Sequence, residues 1–248
     1  MEKPTPKGPE ADTLALRYDA LTRQLERMRG MQAAYFGRFF WWVVLTLAGL
    51  VALMLSGLFW GKALLPFLVV SAGVQASFYL YYVDFARAFA RSLEGKLNRL
   101  LGEETLIAAR LEDAYFYPLD AAKFSGYSLG RPWGFFSVYT LHWCGVWALF
   151  YAYGVYYMIL TLYDDFQLGA LGNDGVFVYT SYFLVLALWT FGNVAYLAWY
   201  FHRQPELAAM KKLLREAYGE PGAGKAADAE PSSKLSKSAT KPTGASSS

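Results

Sequence analysis

Residues 39–83 read FFWWVVLTLAGLVALMLSGLFWGKALLPFLVVSAGVQASFYLYYV. The first 22 and the last 21 positions contain no Asp, Glu, Lys or Arg, and only Gly61 and Lys62 separate them. At a rise of ~1.5 Å per residue, each segment extends about 30 Å as a helix, which is the thickness of the hydrocarbon core of a bilayer. A soluble helix of this length normally carries a polar face, and neither segment has one. The stretch therefore predicts a hairpin of two antiparallel transmembrane helices.

Small residues predict where these two helices touch. They recur at every fourth position of the first segment and at matching depth on the second. In lipid, small side chains let two helix backbones approach closely. We therefore predict helix packing through this stripe, within one chain or, alternatively, between two chains. The stripe consists of Ala48, Ala52, Ser56, Ala72 and Ala76.

A second pair of uncharged runs occupies residues 135–201. Its two segments, about 135–162 and 176–201, are each long enough to cross a bilayer. Tyrosines concentrate in the half of this pair near the connecting loop, which predicts an interfacial aromatic belt or, alternatively, a hydroxyl-lined ligand cavity. The sequence thus predicts an all-α polytopic membrane protein with four transmembrane helices in two antiparallel hairpins.

The positions of the cations predict the topology. Residues 1–38 contain seven Lys and Arg, residues 84–134 contain seven and residues 202–248 contain eight, whereas the loops on the other side contain only Lys62. Cations near the ends of spans concentrate on the cytoplasmic side. We therefore expect an integral protein of the cell or inner membrane, with its N and C termini in the cytoplasm.

The segments on the cytoplasmic side predict a helical stalk. They are a helix over residues 11–38 and, over residues 84–134, further helices and a re-entry loop, with one helix expected to begin at Glu103 and Glu104. In two of these helices apolar residues recur at alternating spacings of four and three, which is typical of a coiled-coil seam. Each seam is expected to pack against the other, or else against another subunit. The seam residues are Leu14, Tyr18, Leu21, Leu25, Met28, Phe89, Leu93 and Leu97.

The two ends of the chain differ from the rest in composition. Residues 1–10 and 219–248 are rich in Pro, Gly, Ala, Ser and Lys, and we expect both to be disordered. Residues 202–218 have the pattern of an amphipathic helix that lies on the membrane surface. The residues expected to contact lipid headgroups are Lys211, Lys212 and Arg215.

Each predicted span carries one polar side chain at a similar depth. Counted from the cytoplasmic end of each span, these residues lie about 12–15 Å inside. Such groups form interhelical hydrogen bonds that set the register of helices, or, in the sharper hypothesis, line a conduction path that a histidine could gate. This polar midplane layer consists of Thr46, Gln75, His142 and Asn193.

No catalytic or cofactor motif emerges from the sequence. His142 and His202 are too far apart in depth to share a metal ion, and the single Cys144 lies within a span. There is no phosphate-binding glycine loop, and the basic and aromatic residues fit a membrane interface better than nucleic acid. We therefore expect no catalytic residue, no metal site, no cofactor and no nucleic-acid partner.

These observations leave three functional hypotheses. The leading one is a non-enzymatic membrane subunit that self-assembles or docks on a partner through the stalk, as a pore, scaffold or sensor. The second is a small channel or transporter that uses the polar layer. The third is a membrane-embedded enzyme that modifies lipids, with Asp84, Glu103, Glu104 and His202 near the headgroups. The expected partners are the lipid bilayer and either a second copy or another protein.

Overall fold

The computed structural model describes residues 9–169 and 172–219. Four of its helices are long and apolar enough to cross a membrane. Helix α1 already includes residues 9 and 10 of the lead that was expected to be disordered, while residues 1–8 and 220–248 lie outside the described residues. The elements are α1 (Pro9–Leu55), α2 (Phe59–Leu101), α3 (Ala108–Tyr115), β1 (Lys123–Phe124), β2 (Tyr127–Ser128), α4 (Phe135–Gln167), α5 (Asn173–Arg203) and α6 (Pro205–Tyr218).

Helix α2 is the centre of the fold, because α1, α4, α5 and α6 all pack on it. The turn between α1 and α2 comes earlier than predicted. Helix α1 ends at Leu55, where the Ser56 hydroxyl donates to the carbonyl of Leu53 (2.7 Å). Gly61 and Lys62, the predicted turn, belong instead to the first turns of α2.

The contact between α1 and α2 only partly follows the predicted stripe of small residues. Ala72 and Ala76 of α2 are buried and Ser56, directly after α1, is half-buried, but Ala48 and Ala52 lie on an exposed face of α1 and take no part in the contact within the chain. The Trp42 indole N–H donates to the carbonyl of Ala72 (3.1 Å). This bond favours a rotation of α1 in which larger side chains, Val43 and Leu50, are buried in the core instead.

The stalk, defined here as residues 11–38 of α1 with residues 84–101 of α2, pairs within the chain. Met28 of α1 is buried against Ala90 and Leu93 of α2. The seam residues Leu21, Leu25 and Phe89 pack around this cluster, and Leu97 is also buried. The seam of α1 from Leu21 to Met28 therefore packs against α2 of the same chain. The two seam residues nearest the N-terminus, Leu14 and Tyr18, stay exposed.

A short antiparallel β-hairpin occupies the region predicted as a re-entry loop. We call residues 123–128 the wedge. Its strand β1 contacts α5, where the Phe124 and Phe201 rings lie 5.7 Å apart, and its strand β2 contacts α4, where the Ser137 hydroxyl accepts from the backbone N–H of Ser128 (3.1 Å). The wedge separates α4 from α5 at this end. The two helices of the second predicted hairpin each pack mainly on α2. They meet each other through a few contacts, which include the hydrogen bonds of Tyr151 with Thr190 (3.0 Å) and of Tyr179 with Asp165 (2.6 Å).

Helices α3 and α6 also differ from expectation. Helix α3 begins at Ala108, so Glu103 and Glu104 precede it in a loop. Helix α6 buries Leu207 and Leu214, with Leu207 in a cluster that includes Tyr81 of α2 and Phe201 of α5. Its apolar face is therefore covered by protein and is not free to lie in a lipid surface.

The crossing of α2 and α4 depends on Gly154, and replacing Gly154 by Ala should destabilise the fold. A Cβ atom at this position would lie 2.6 Å from Cδ of Pro66 and 3.1 Å from Cβ of Leu65. Overpacking of this kind costs ~1–3 kcal/mol. We expect a lower midpoint in denaturant titration of the purified protein. Gly145→Ala is the matched control on the same helix, because a Cβ there meets nothing within 4 Å; equal effects of the two changes would contradict the prediction.

Candidate functional site

A buried carboxylate joins α2 to the wedge. Asp84 is only 1% exposed, and its Oδ2 lies 2.6 Å from Nζ of Lys123. The Tyr117 hydroxyl donates to Oδ1 of Asp84 (2.9 Å), and Arg87 lies 3.5 Å from the same oxygen. A charge removed from water in this way is stable only when it is paired and hydrogen-bonded. Asp84 therefore holds the wedge in place and is not available at a lipid headgroup.

Arg87 is the second buried charge of this cluster. Its guanidinium donates to Asp113 (3.1 Å) and to the backbone carbonyl of Tyr117 (3.0 Å). The same group lies 5.0 Å from the ring centre of Tyr117 and 5.6 Å from that of Phe116. A guanidinium over an aromatic face gains attraction from the ring. Arg87 thus fixes the segment between α3 and the wedge against α2.

The network continues outward to α1 and α6. Arg29 of α1 pairs with both Glu94 and Glu112, which ties the stalk to α3. Asp120, in the segment before the wedge, pairs with Arg91 (3.3 Å) and with Lys211 of α6 (2.6 Å). The network matches five carboxylates with five cations. Its members are Asp84, Glu94, Glu112, Asp113, Asp120, Arg29, Arg87, Arg91, Lys123 and Lys211.

Burial and pairing shift several pKa values in this network. Burial lowers the pKa of Lys123 against the opposing effect of Asp84, and burial raises the pKa of Tyr117. Burial alone would raise the pKa of Glu112, but hydrogen bonds from Arg29 and Gln32 outweigh it and hold this pKa below its usual value of 4.5. The charged form of Glu112 is therefore the stable form in the folded protein.

The lowered pKa of Glu112 predicts a loss of stability in acid. Because the folded pKa lies below the unfolded pKa, the contribution of Glu112 is complete above pH 4.5 and disappears as the pH falls through the folded pKa. We expect Glu112→Gln to flatten this part of the curve when the thermal unfolding midpoint is measured against pH. Glu216, which is exposed, supplies the control change Glu216→Gln. Curves that stay parallel for Glu112→Gln and the wild type would contradict the assignment.

A cavity of about 330 Å³ lies beside the tip of the wedge. Its floor is formed by small residues of α2, Gly73, Ala76 and Ser77, and its sides by α4 and α5. At one end the hydroxyls of Ser77 and Ser125 lie 3.2 Å apart, within hydrogen-bond distance. Part of the predicted packing stripe on α2 thus borders an open space. The other lining residues are Phe39, Val43, Val70, Val74, Leu80, Phe124, Tyr127, Thr140, Leu141, Trp143, Cys144, Trp147, Asn193, Val194 and Leu197.

The wedge tip fits this position closely. A Cβ on Gly126 would lie 2.6 Å from the Thr140 hydroxyl, 2.8 Å from Phe136 and 3.0 Å from Leu80. Only glycine allows the backbone to come so near α2 and α4. Ser125, next to it, adopts a left-handed backbone conformation with φ of 53°. The chain therefore accepts backbone strain to place the wedge between the helices.

The predicted polar midplane layer does not come together as one network. Asn193 lines the cavity but donates to the carbonyl of Trp189 on its own helix (2.8 Å). His142 is exposed and lies against the ring of Trp143, while Thr46 and Gln75 are half-buried. Within residues 9–169 and 172–219, no hydrogen bond joins any two of these four residues.

The residues proposed for lipid chemistry are also separated. Glu104 pairs with Arg110 (2.9 Å), and Glu103 accepts from the Thr105 hydroxyl in the exposed loop before α3. His202 is exposed near the end of α5. None of these three contacts Asp84 in the described part of the chain. That part also contains no group of three His, Cys, Asp or Glu able to hold a metal ion.

Of the residues predicted to contact headgroups, one belongs to the ion network. Lys211 pairs with Asp120, whereas Lys212 and Arg215 are exposed on α6. Sequence reasoning missed Lys123 and Tyr117 altogether, because both lie in a segment without helical periodicity. One local signal was available: Asp84 and Arg87 stand one turn apart directly after an apolar segment.

Comparisons with protein-family models, with curated proteins and with solved structures find no match for this chain.

Proposed function

We propose that this chain is a non-enzymatic integral membrane subunit that assembles with a second copy through the far end of its stalk. Its four long apolar helices support insertion in a bilayer. The excess of Lys and Arg at the stalk end supports a cytoplasmic stalk and cytoplasmic termini. Asp84, one of the residues considered for lipid chemistry, is instead paired with Lys123 inside the fold.

The observation that carries the proposal is an overhang of α1, the segment 12–20 that extends beyond the end of α2. Antiparallel pairing places Arg29 beside Glu94, so α2, which ends at Leu101, ends near residue 22 of α1. Every residue from Asp12 to Ala20 is exposed. The overhang continues the seam, with Leu14 49% and Tyr18 38% exposed. A helical segment that buries little apolar surface gains little stability in water, so this seam is suited to a partner helix.

A second copy fits this overhang by charge and by pattern. Between Asp12 and Arg23 the helix carries two carboxylates, Asp12 and Asp19, and two cations, Arg17 and Arg23. Two identical helices with balanced charge can lie side by side without net repulsion. Leucine and tyrosine at heptad spacing form a seam that matches itself. The same pattern on two copies supports a symmetric contact.

The test is the stoichiometry of the protein in nanodiscs. Replacing Leu14 and Tyr18 together by Asp should convert dimers to monomers, because two carboxylates would face each other across the seam. Leu16→Asp is the matched control, since Leu16 is 70% exposed and lies off the seam on the same overhang. Mass photometry at several protein concentrations measures the ratio. A wild type that is monomeric at all of them, or dimers that persist in the double variant, would overturn the proposal.

A further inference from the structure

We propose that the cavity beside the wedge binds one acyl chain of a membrane lipid, which enters between α4 and α5. This inference rests on the proposed insertion in a bilayer, but it does not depend on assembly through the stalk. The site lies where the sequence predicted only helix packing and a polar layer.

The walls of the cavity suit hydrocarbon. Apart from a few hydroxyls, the amide of Asn193, the thiol of Cys144 and the indole N–H groups of Trp143 and Trp147, the lining is aliphatic or aromatic. Three of the hydroxyls are already engaged, because Ser77 and Ser125 lie within hydrogen-bond distance of each other and Thr140 donates to the carbonyl of Phe136 (2.9 Å). The indole N–H groups of Trp143 and Trp147 are buried without a hydrogen-bond partner among the described residues. A water molecule needs two to four polar partners, whereas most of the lining surface is apolar and the two unpartnered indole N–H groups can only donate. An apolar occupant is therefore favoured over water.

The volume limits the size of the occupant. Small-molecule sites in proteins measure roughly 300–1,000 Å³, and this cavity, at about 330 Å³, lies at the lower end. It has room for a single hydrocarbon chain, but not for a lipid with its headgroup and second chain. The remainder of the lipid must stay outside, which requires an opening toward the bilayer.

The exposed members of the lining mark that opening. Leu141 and Cys144 on α4 and Val194 on α5 line the cavity and are also exposed. The surfaces around them are apolar. Leu188 and Phe191, which precede Val194 on α5, are exposed as well. On helices apolar enough to cross a membrane, such surfaces face lipid chains. The bilayer therefore faces this opening and supplies the acyl chain.

The wedge keeps the space open. It holds α5 through Phe124 and α4 through Ser128, and the ion pair of Lys123 with Asp84 anchors it to α2. Because these contacts hold the helices apart at this end, the cavity cannot close by a simple approach of α4 to α5. An empty apolar space is unfavourable, since the side chains around it lose packing partners. Filling it with a lipid chain removes that penalty.

The experiment uses the full chain in nanodiscs of phosphatidylcholine that contain a small fraction of a phospholipid with a diazirine on one acyl chain. After irradiation, mass spectrometry locates the adducts. We expect several-fold more adducts on the cavity residues Leu141 and Val194 than on Leu188 and Phe191 of the outer surface. Val194→Trp should fill the opening and abolish the enrichment at Leu141. Ala195→Trp, at the exposed neighbouring position, should leave it unchanged.

A second arm uses a free fatty acid that carries the same diazirine. Cavity adducts with the fatty acid but not with the phospholipid would overturn the assignment to a membrane lipid. Adducts only on outer surfaces, or an enrichment that survives Val194→Trp, would overturn the site alone. An absence of adducts on every helix would overturn membrane insertion, and with it both this inference and the proposed function.

Discussion

Asp84→Ala is expected to destabilise the protein by about 3–5 kcal/mol, the range for removing one partner of a buried ion pair. The change leaves Lys123 buried without its carboxylate, 2.6 Å from the vacated position, and deprives the Tyr117 hydroxyl of its acceptor. Arg87 loses less, because it still pairs with Asp113. The dominant cost is therefore the uncompensated charge on Lys123, and the wedge is the element expected to move.

A compensating variant separates charge burial from packing. Asp84→Leu combined with Lys123→Met removes both charges and keeps apolar volume, so it should recover most of the lost stability. Glu216→Ala, a change of an exposed carboxylate, should have an effect within about 0.5 kcal/mol. Titration with denaturing detergent, followed by tryptophan fluorescence, gives the three values. If Asp84→Ala behaved like Glu216→Ala, Asp84 would not be a buried structural charge.

The long helices could be predicted from sequence because their signal is local. A long run without charged residues, as in residues 39–60 and 63–83, predicts a membrane-spanning helix whatever that helix packs against. Their rotation is different, because it depends on partners. Ala48 and Ala52 form a regular pattern, but the bond from Trp42 to Ala72 accompanies a rotation that leaves them exposed. Spacing alone carries no information about which face a tertiary contact selects.

The candidate site was beyond the sequence for a similar reason. Arg29 reaches Glu112 across 83 positions of the chain, and Asp84 reaches Tyr117 across 33. Each of the charged residues, taken alone, is of a type that usually lies on a solvated surface. The wedge contains two strands of two residues, too short for any alternation to be recognised. A site built from an irregular segment and distant charges becomes visible only when the chain has folded.

Leu93→Ala is expected to destabilise the stalk by about 2–5 kcal/mol, the cost of removing a fully buried leucine side chain. Leu93 is 0% exposed and packs against Met28 and Ala90 in the centre of the stalk. Leu101→Ala, near the end of the same helix and 42% exposed, is the matched control and should cost far less. Hydrogen exchange should show faster exchange in stalk amides, with the amides of α4 unchanged.

The dependence of this loss of stability on protein concentration shows whether the stalk is paired within one chain or between two chains. Contacts within one chain give a stability that does not change with protein concentration, whereas contacts between chains give one that does. Because Leu93 meets Met28 of its own chain, the effect of Leu93→Ala should be the same in dilute and concentrated samples. The Leu14 and Tyr18 overhang should show the opposite behaviour, since its proposed partner is a second copy. If the loss of stability caused by Leu93→Ala increased with protein concentration, the seam itself would form the interface between subunits. The overhang would then be only an extension of that interface.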